Sequence, residues 1–245
     1  MRYFTDDTGQ AIYLTGSHTW NSRQDIGSTV FDYTGYLNAL QGYNHNSARM
    51  FVWEQAKGIT EQNLTNPNAT WTPVIYARTG PGAAADGGLT FDVTQFNQAF
   101  FDRLRQRVME AQSRGIYIAV QLFDGWSVAH KSGGVNPWTY HPFNKNNNIN
   151  NINGDPNNDE QGYETENLSI PAIISLQEAY VRKVIDSDND WDNVLYEIAN
   201  EPDGCQSPNA VGWDNHMVDL VHSYEDTKAK HDRQRYFLTG FDHVV

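Results

Sequence analysis

Five short apolar or alternating segments divide the chain: 11–16 (AIYLTG), 47–53 (SARMFVW), 116–123 (IYIAVQLF), 194–199 (VLYEIA) and 235–240 (RYFLTG). Their β-branched and aromatic content, bounded by polar and glycine-containing stretches, predicts strands. Helical periodicity fills the gaps between them. Phe96, Ala99, Phe100, Leu104, Val108 and Ala111 keep one apolar face while Asp102, Arg103, Arg105, Arg107 and Glu110 fall between, and the pattern closes at Gly115. Further helices are predicted over residues 34–41, 172–185 and 213–230. Strands alternating with helices imply parallel βα units, an α/β fold whose strands are buried under helices.

Whether such a sheet is open or closed depends on where its polar residues collect. No GxGxxG or GxxxxGK[ST] follows the first strand, which argues against a nucleotide-binding doubly wound sheet. Polar side chains gather instead just past several strands: His18 and Trp20, Glu54 and Gln55, Asp124 and Trp126, Asn200 and Glu201, Asp242 and His243. A (β/α)8 TIM barrel places its active site there, on loops at the C-terminal strand ends. Five strands use all 245 residues, where a barrel has eight. The expectation is a barrel truncated after about five βα units, with residues 1–245 the N-terminal part of a single catalytic domain. A complete five-stranded α/β protein is the alternative.

Charge narrows the ligand class. Seventeen basic residues against thirty acidic ones give a net charge of -13, which disfavours nucleic acid, because phosphate binding needs clustered Lys and Arg. No apolar run approaches the roughly 20 residues that span a bilayer, so no membrane segment is expected. A neutral, polyhydroxylated partner suits this balance better. The one cysteine, Cys205, lacks a partner for a disulfide or a CxxC zinc site. The histidines near the last helix form no HExxH pattern, and no metal or other cofactor is expected. Met1 leads into Arg2-Tyr3-Phe4-Thr5-Asp6 rather than a basic and then apolar export signal, so a secreted or periplasmic location of a longer parent cannot be read here.

A long insertion, 124–170, separates the third strand from its helix, and asparagine supplies nine of the fifteen residues from 144 to 158. Such a run turns easily and favours neither helix nor strand. An irregular surface loop is one reading. A wall of a substrate cleft is the other, favoured by Trp126, Trp138, Tyr140, His141 and Phe143. Asp155, Asp159 and Glu160 do not match the spacing of an EF-hand calcium loop.

At the end of the fourth strand stands Asn200-Glu201-Pro202. This motif resembles the acid/base signature of retaining (β/α)8 glycoside hydrolases, the superfamily of cellulases, mannanases and family 5-like enzymes. Tyr13 to Trp20 (YLTGSHTW), Phe123 to Trp126 (FDGW) and His141 to Asn144 (HPFN) resemble a cellulase-like branch of it. The resemblance implies that Glu201 is the general acid/base, that Asn200 binds the sugar 2-hydroxyl, and that Arg49 supports the nucleophile. It also implies a nucleophilic glutamate ending a seventh strand, beyond residue 245, which would leave this chain inactive alone. His18, Trp20, Glu54, Asp124, Trp126, Trp138 and His141 are further candidates for contact with an oligosaccharide or polysaccharide.

The chemistry agrees with the motif. Glycoside hydrolysis pairs two carboxyl groups in different environments, one holding a proton near neutral pH. Glu201 follows an apolar strand and is expected to be partly desolvated, while Pro202 disfavours helical backbone at Glu201 and turns the chain out of the sheet. Glu197 lies four residues earlier, about 13 Å down an extended strand, too far for the roughly 5–5.5 Å of a retaining pair. It is expected in the barrel interior, paired with Arg49 or His18, in which case Arg49 has a structural role. The leading expectation is cleavage of a β-linked glycan or glycoside by retaining double displacement. A non-catalytic sugar-binding barrel is the alternative.

Overall fold

The computed structural model describes residues 4–5, 8–58, 69–129, 136–202, 210–228 and 237–238. In chain order the elements are β1 (Phe4–Thr5), β2 (Ala11–Ile12), β3 (Gly16–Thr19), β4 (Asp25–Ile26), α1 (Tyr33–Gly42), β5 (Ser47–Met50), β6 (Trp71–Thr72), β7 (Tyr76–Ala77), β8 (Asp92–Phe96), α2 (Gln98–Gln112), β9 (Tyr117–Asp124), α3 (Pro171–Asp188), β10 (Val194–Asn200), α4 (Ala210–Glu225) and β11 (Phe237–Leu238). Strands β3, β5, β9, β10 and β11 form one parallel sheet in which spatial order equals chain order. A doubly wound sheet reverses direction at a switch point; this one does not. Its helices pack in sequence, α1 on α2, α2 on α3 and α3 on α4. That is an arc of a (β/α)8 barrel. The core lies between helices and sheet, where Leu104, Val108, Val120, Val184, Ile198 and Trp213 are buried. Among the described residues no helix is long and apolar enough to cross a membrane.

The first predicted strand divides in two. Ala11–Ile12 pairs antiparallel with Phe4–Thr5, while Gly16–Thr19 joins the sheet. Asn46 causes the break: its side chain accepts from the Thr15 N–H at 2.8 Å and donates to the Tyr13 carbonyl at 3.0 Å, taking backbone groups a continuous strand would use. Gly16 then permits close approach, since a Cβ there would lie 1.7 Å from the Ser47 carbonyl oxygen. The second predicted strand ends early, at Met50. Ser22 Oγ accepts from the Phe51 N–H, and the Gln24 amide bonds both the N–H and the carbonyl of Trp53, so side chains replace the ladder. The predicted helix over 213–230 closes at Glu225 with a tight turn, Thr227 N–H to the Tyr224 carbonyl and Lys228 N–H to the Glu225 carbonyl. Residues 229–236 and 239–240, which complete two of the predictions, lie outside the described residues, as do Cys205, Asp242 and His243.

The described part of the asparagine-rich insertion is packed through buried amides, and Trp126 is its residue that borders the cleft. Asn147 and Asn148 are buried. The Asn148 amide donates to the carbonyls of Pro142, Asn144 and Ile152 at 3.0–3.1 Å and accepts from the Ile152 N–H at 2.9 Å. Asn147 donates to the Thr139 and His141 carbonyls and accepts from the Ala85 N–H. These amides satisfy backbone groups that neither helix nor sheet serves. Asp155 does the same, accepting from the Asp159 and Glu160 N–H groups. Asn148→Ala would strand those groups in the interior. It is expected to destabilise the fold by about 2–4 kcal/mol, read as a lower urea midpoint at unchanged slope.

Candidate active site

Residues paired across a sheet share a face, and His18, Arg49, Ala119 and Leu195 form one such line across β3, β5, β9 and β10. Ala119 is the small member. Arg49 reaches past it to Glu197, two residues further along β10: its Nε donates to Oε2 at 2.6 Å and its Nη2 to Oε1. The same Nη2 donates to Asn200 Oδ1 at 2.9 Å, and the guanidinium lies 5.2 Å from the centre of the Phe51 ring. The expected pairing of Glu197 with Arg49 is therefore present, and it carries Asn200 with it. Asn200 Nδ2 donates to Asp124 Oδ1 at 3.0 Å. Both ends of that amide are fixed, so its orientation is set by a cation on one side and a carboxyl on the other.

Glu201 follows with a backbone φ of 41°. Left-handed backbone is uncommon for a residue other than glycine and costs about 1–3 kcal/mol, a strain that concentrates at functional sites. Glu201 is exposed and Pro202 buried, so the sequence expectation of a partly desolvated Glu201 is corrected. The reason is the turn itself, which takes the chain out of the sheet at this residue. Glu201 and Asn200 share a cleft of about 250 Å³ with His18, Arg49, Phe51 and three tryptophans, Trp20, Trp53 and Trp126. Trp20 and Trp126 are half-buried, while Phe51 and Trp53 lie beneath them. Trp53 stacks on Trp71 with centroids 4.5 Å apart and donates its indole N–H to the Trp20 carbonyl at 2.7 Å. Such rings suit the C–H faces of a sugar. His18 is the register partner of Arg49; partial burial, then the Arg49 charge, lower its pKa, and the Glu197 charge opposes them.

Four candidates from the sequence lie off the cleft surface. Glu54, Asp124, Trp138 and His141 are buried, and none borders the cleft as Trp20 and Trp126 do. Glu54 Oε1 accepts from the Asp124 N–H at 2.8 Å, and its Oε2 lies 3.5 Å from His141 Nε2. His141 accepts from the Phe143 N–H through Nδ1 at 3.1 Å, which leaves the ring proton of the neutral imidazole on Nε2, facing Glu54. Trp138 stacks on the His141 ring at 4.9 Å. They form a polar layer under the site, with Ser127 and Gln55. Burial pushes the Asp124 carboxyl up to about 7; hydrogen bonds from Ser127 and Asn200 oppose this, and Glu54 and Glu201 add to it.

Phe51, Trp53 and Ser127 join the site without being candidates from the sequence, whereas Gln55 is one of the polar residues just past the second strand. The period-2 alternation Arg49, Phe51, Trp53 carries the signal for the first two, since alternate residues of a strand share a face. Nothing local marks Ser127. Among the described residues, no group of three or more His, Cys, Asp or Glu side chains is arranged to hold a metal ion.

Asp124 should shape the dependence of stability on pH. Its proton is held up to about pH 7 in the folded chain, against 3.8 for an ordinary Asp. The folded state therefore binds the extra proton across that window, and stability falls as pH rises through it. Asp124→Asn cannot titrate and removes this slope. Urea midpoints measured from about pH 4 to about pH 7.5 should shift in favour of the variant, relative to the parent, by up to roughly 4 kcal/mol.

Comparison with known proteins places this arrangement. A structure of a glycoside hydrolase family 5 protein from Bacteroides vulgatus matches with TM-score 0.52 at 13% identity, covering 97% of this chain and 37% of that one. The endo-beta-1,4-mannanase of Thermotoga petrophila matches with TM-score 0.53 at 16% identity, covering 95% and 43%. The endo-1,4-beta-mannanase of Rhizomucor miehei matches with TM-score 0.55 at 14% identity, covering 97% and 58%. The chain thus spans between about a third and three fifths of the length of these structures, and at such identities the likeness shows the fold alone: part of a TIM barrel. No match was found among curated proteins. Residues 1–153, more than half of the chain, match the family described as Apiosidase-like, catalytic domain. The chain belongs to the apiosidase-like catalytic-domain family.

Proposed function

We propose that the whole protein is a glycoside hydrolase that cleaves a β-linked glycoside by retaining double displacement, with Glu201 as general acid/base. One observation carries this reading. Glu201 stands at the C-terminal end of the fourth strand of the parallel sheet, on strained backbone, next to an Asn200 amide clamped at both ends. Glu201 would donate a proton to the departing glycosidic oxygen and then take one from the incoming water. Asn200 Nδ2 keeps a second N–H beyond the one given to Asp124, which we assign to the sugar 2-hydroxyl. Trp20 and Trp126 would hold the ring face. The retaining mechanism needs a second carboxylate about 5–5.5 Å away, which we assign to the part of the whole protein outside residues 1–245. The family's name points to apiosyl glycosides as the substrate class, and we carry it here as a proposal.

Turnover of aryl β-glycosides and of apiosyl glycosides by the whole protein tests this. Glu201→Gln is expected to lower kcat by about 10²–10⁴-fold while sugar binding, followed by calorimetry, changes little. Turnover equal to the parent's would reject Glu201 as the acid/base. Saturable sugar binding without release of any sugar by the parent would favour a binding barrel instead.

A further inference from the structure

A second cavity, of about 390 Å³, lies in the asparagine-rich insertion beside Ala85, and it shares no lining residue with the cleft. That volume falls in the range of small-molecule sites, about 300–1,000 Å³. Trp138 is the buried residue of its lining; the others are partly or fully exposed. Trp138 also stacks on His141, so the buried polar layer connects this cavity to the cleft. The chain at the rim is fixed. Asn158 and Glu160 have left-handed backbone, φ 58° and 65°, which is uncommon for a glutamate. Asn136 Nδ2 donates to the Glu160 carbonyl at 2.9 Å, and Asp155 Oδ2 accepts from the Glu160 N–H at 3.1 Å. Backbone held before a ligand arrives lowers the ordering cost of binding.

The groups left open define the ligand. Thr139 and Glu160 are hydrogen-bonded through main-chain N–H and carbonyl, and Asn146 through its main-chain N–H. A hydroxyl, a carboxylate and an amide thus remain for a ligand among the described residues. Asn153 uses its Oδ1 and keeps the N–H groups of its Nδ2. A cation is opposed by Lys145 in the lining, and both oxygens of Asp155 already accept main-chain N–H groups. An anion meets two carboxylates, Asp155 and Glu160, against one Lys145 whose Nζ is bonded to Asn158 Oδ1 at 2.9 Å. An apolar molecule would cut these polar groups off from water. A neutral molecule rich in hydroxyls satisfies them, because an amide offers donor and acceptor together and a carboxylate accepts from a hydroxyl. We propose that this cavity is an accessory saccharide site, which takes a short neutral sugar chain through Thr139, Asn146, Asn153 and Glu160. It goes beyond the reading of the cleft and stands apart from the role of Glu201.

Calorimetry of the whole protein carrying Glu201→Gln tests this, with cellobiose, mannobiose and xylobiose as probes. A second protein adds Trp20→Ala and Trp126→Ala, which strip the cleft of its open rings. At least one disaccharide is expected to bind saturably to both proteins, with Kd at or below about 1 mM in the cleft-stripped one. Asn146→Ala and Glu160→Gly should each weaken that binding by at least about 10-fold. Glycine keeps the left-handed backbone at residue 160, so the loss reports the carboxylate and not a refolded rim. No saturable binding by the cleft-stripped protein, or binding that neither Asn146→Ala nor Glu160→Gly weakens, would overturn the proposal. So would a rise in Tm with calcium chloride that Glu160→Gly abolishes, which would make the cavity a cation site. Should the cleft-stripped protein not fold, crystals of the Glu201→Gln protein soaked in the same sugars decide. A disaccharide on Asn146 and Glu160 supports the proposal, and an empty cavity contradicts it. Failure of the Glu201 assignment would appear separately, as undiminished turnover in Glu201→Gln with the second site intact.

Discussion

A guanidinium that bridges two strands across a third organises this site. Arg49 on β5 passes over Ala119 on β9 to grip Glu197 on β10, and the same nitrogen that binds Glu197 also binds Asn200. Next-nearest strands of a sheet lie about 9.5 Å apart, so only a long side chain over a small one can span them. A half-buried ion pair of this kind is poor evidence for stability, since desolvation offsets much of its attraction. Its evident effect is positional. Two strand ends that the sheet holds only through β9 acquire a direct link, and the fixed amide of Asn200 stands beside Glu201.

The site therefore has two layers. The upper one is aromatic and open, with Trp20 and Trp126 half-buried over Phe51 and Trp53. The lower one is polar and buried, running from Trp138 and His141 through Glu54 to Asp124 and Ser127. Carboxyl groups in the two layers meet different surroundings: Glu201 is exposed, and Asp124 is buried with its proton held to about pH 7. The asparagine-rich insertion supplies Trp138, His141 and Ser127 to the lower layer and bonds its own backbone through Asn147 and Asn148. Long irregular chain can be buried only when its polar backbone finds partners, and short amides provide them.

Much of this was legible in the sequence because it depends on local pattern. The parallel βα order, the helix face from Phe100 to Ala111, the stop at Gly115 and the position of Asn200-Glu201 at a fourth strand end follow from periodicity and turn chemistry, whereas Phe96, assigned by the same period to that helix, ends β8. Strand ends were less legible. Asn46 breaks the first predicted strand and Gln24 the second, and each acts on backbone about 30 residues away, which no window of sequence records. Arg49 looked like either a structural or a functional residue, whereas its geometry joins Glu197 to Asn200 in one contact set. Trp138 and His141 were placed at the cleft for their chemistry, but aromatic rings fill interiors as readily as they line sites, and these two are buried.

The proposed roles of Asn200 and Glu201 turn on where they lie relative to a bound sugar. A crystal structure of the whole protein, with Glu201→Gln to slow turnover and an uncleaved β-glycoside in place, measures it directly. The account predicts the glycosidic oxygen within about 2.6–3.2 Å of the residue-201 side chain, and the 2-hydroxyl bonded to Asn200 Nδ2. A sugar seated with its scissile bond away from residues 200 and 201 would contradict it.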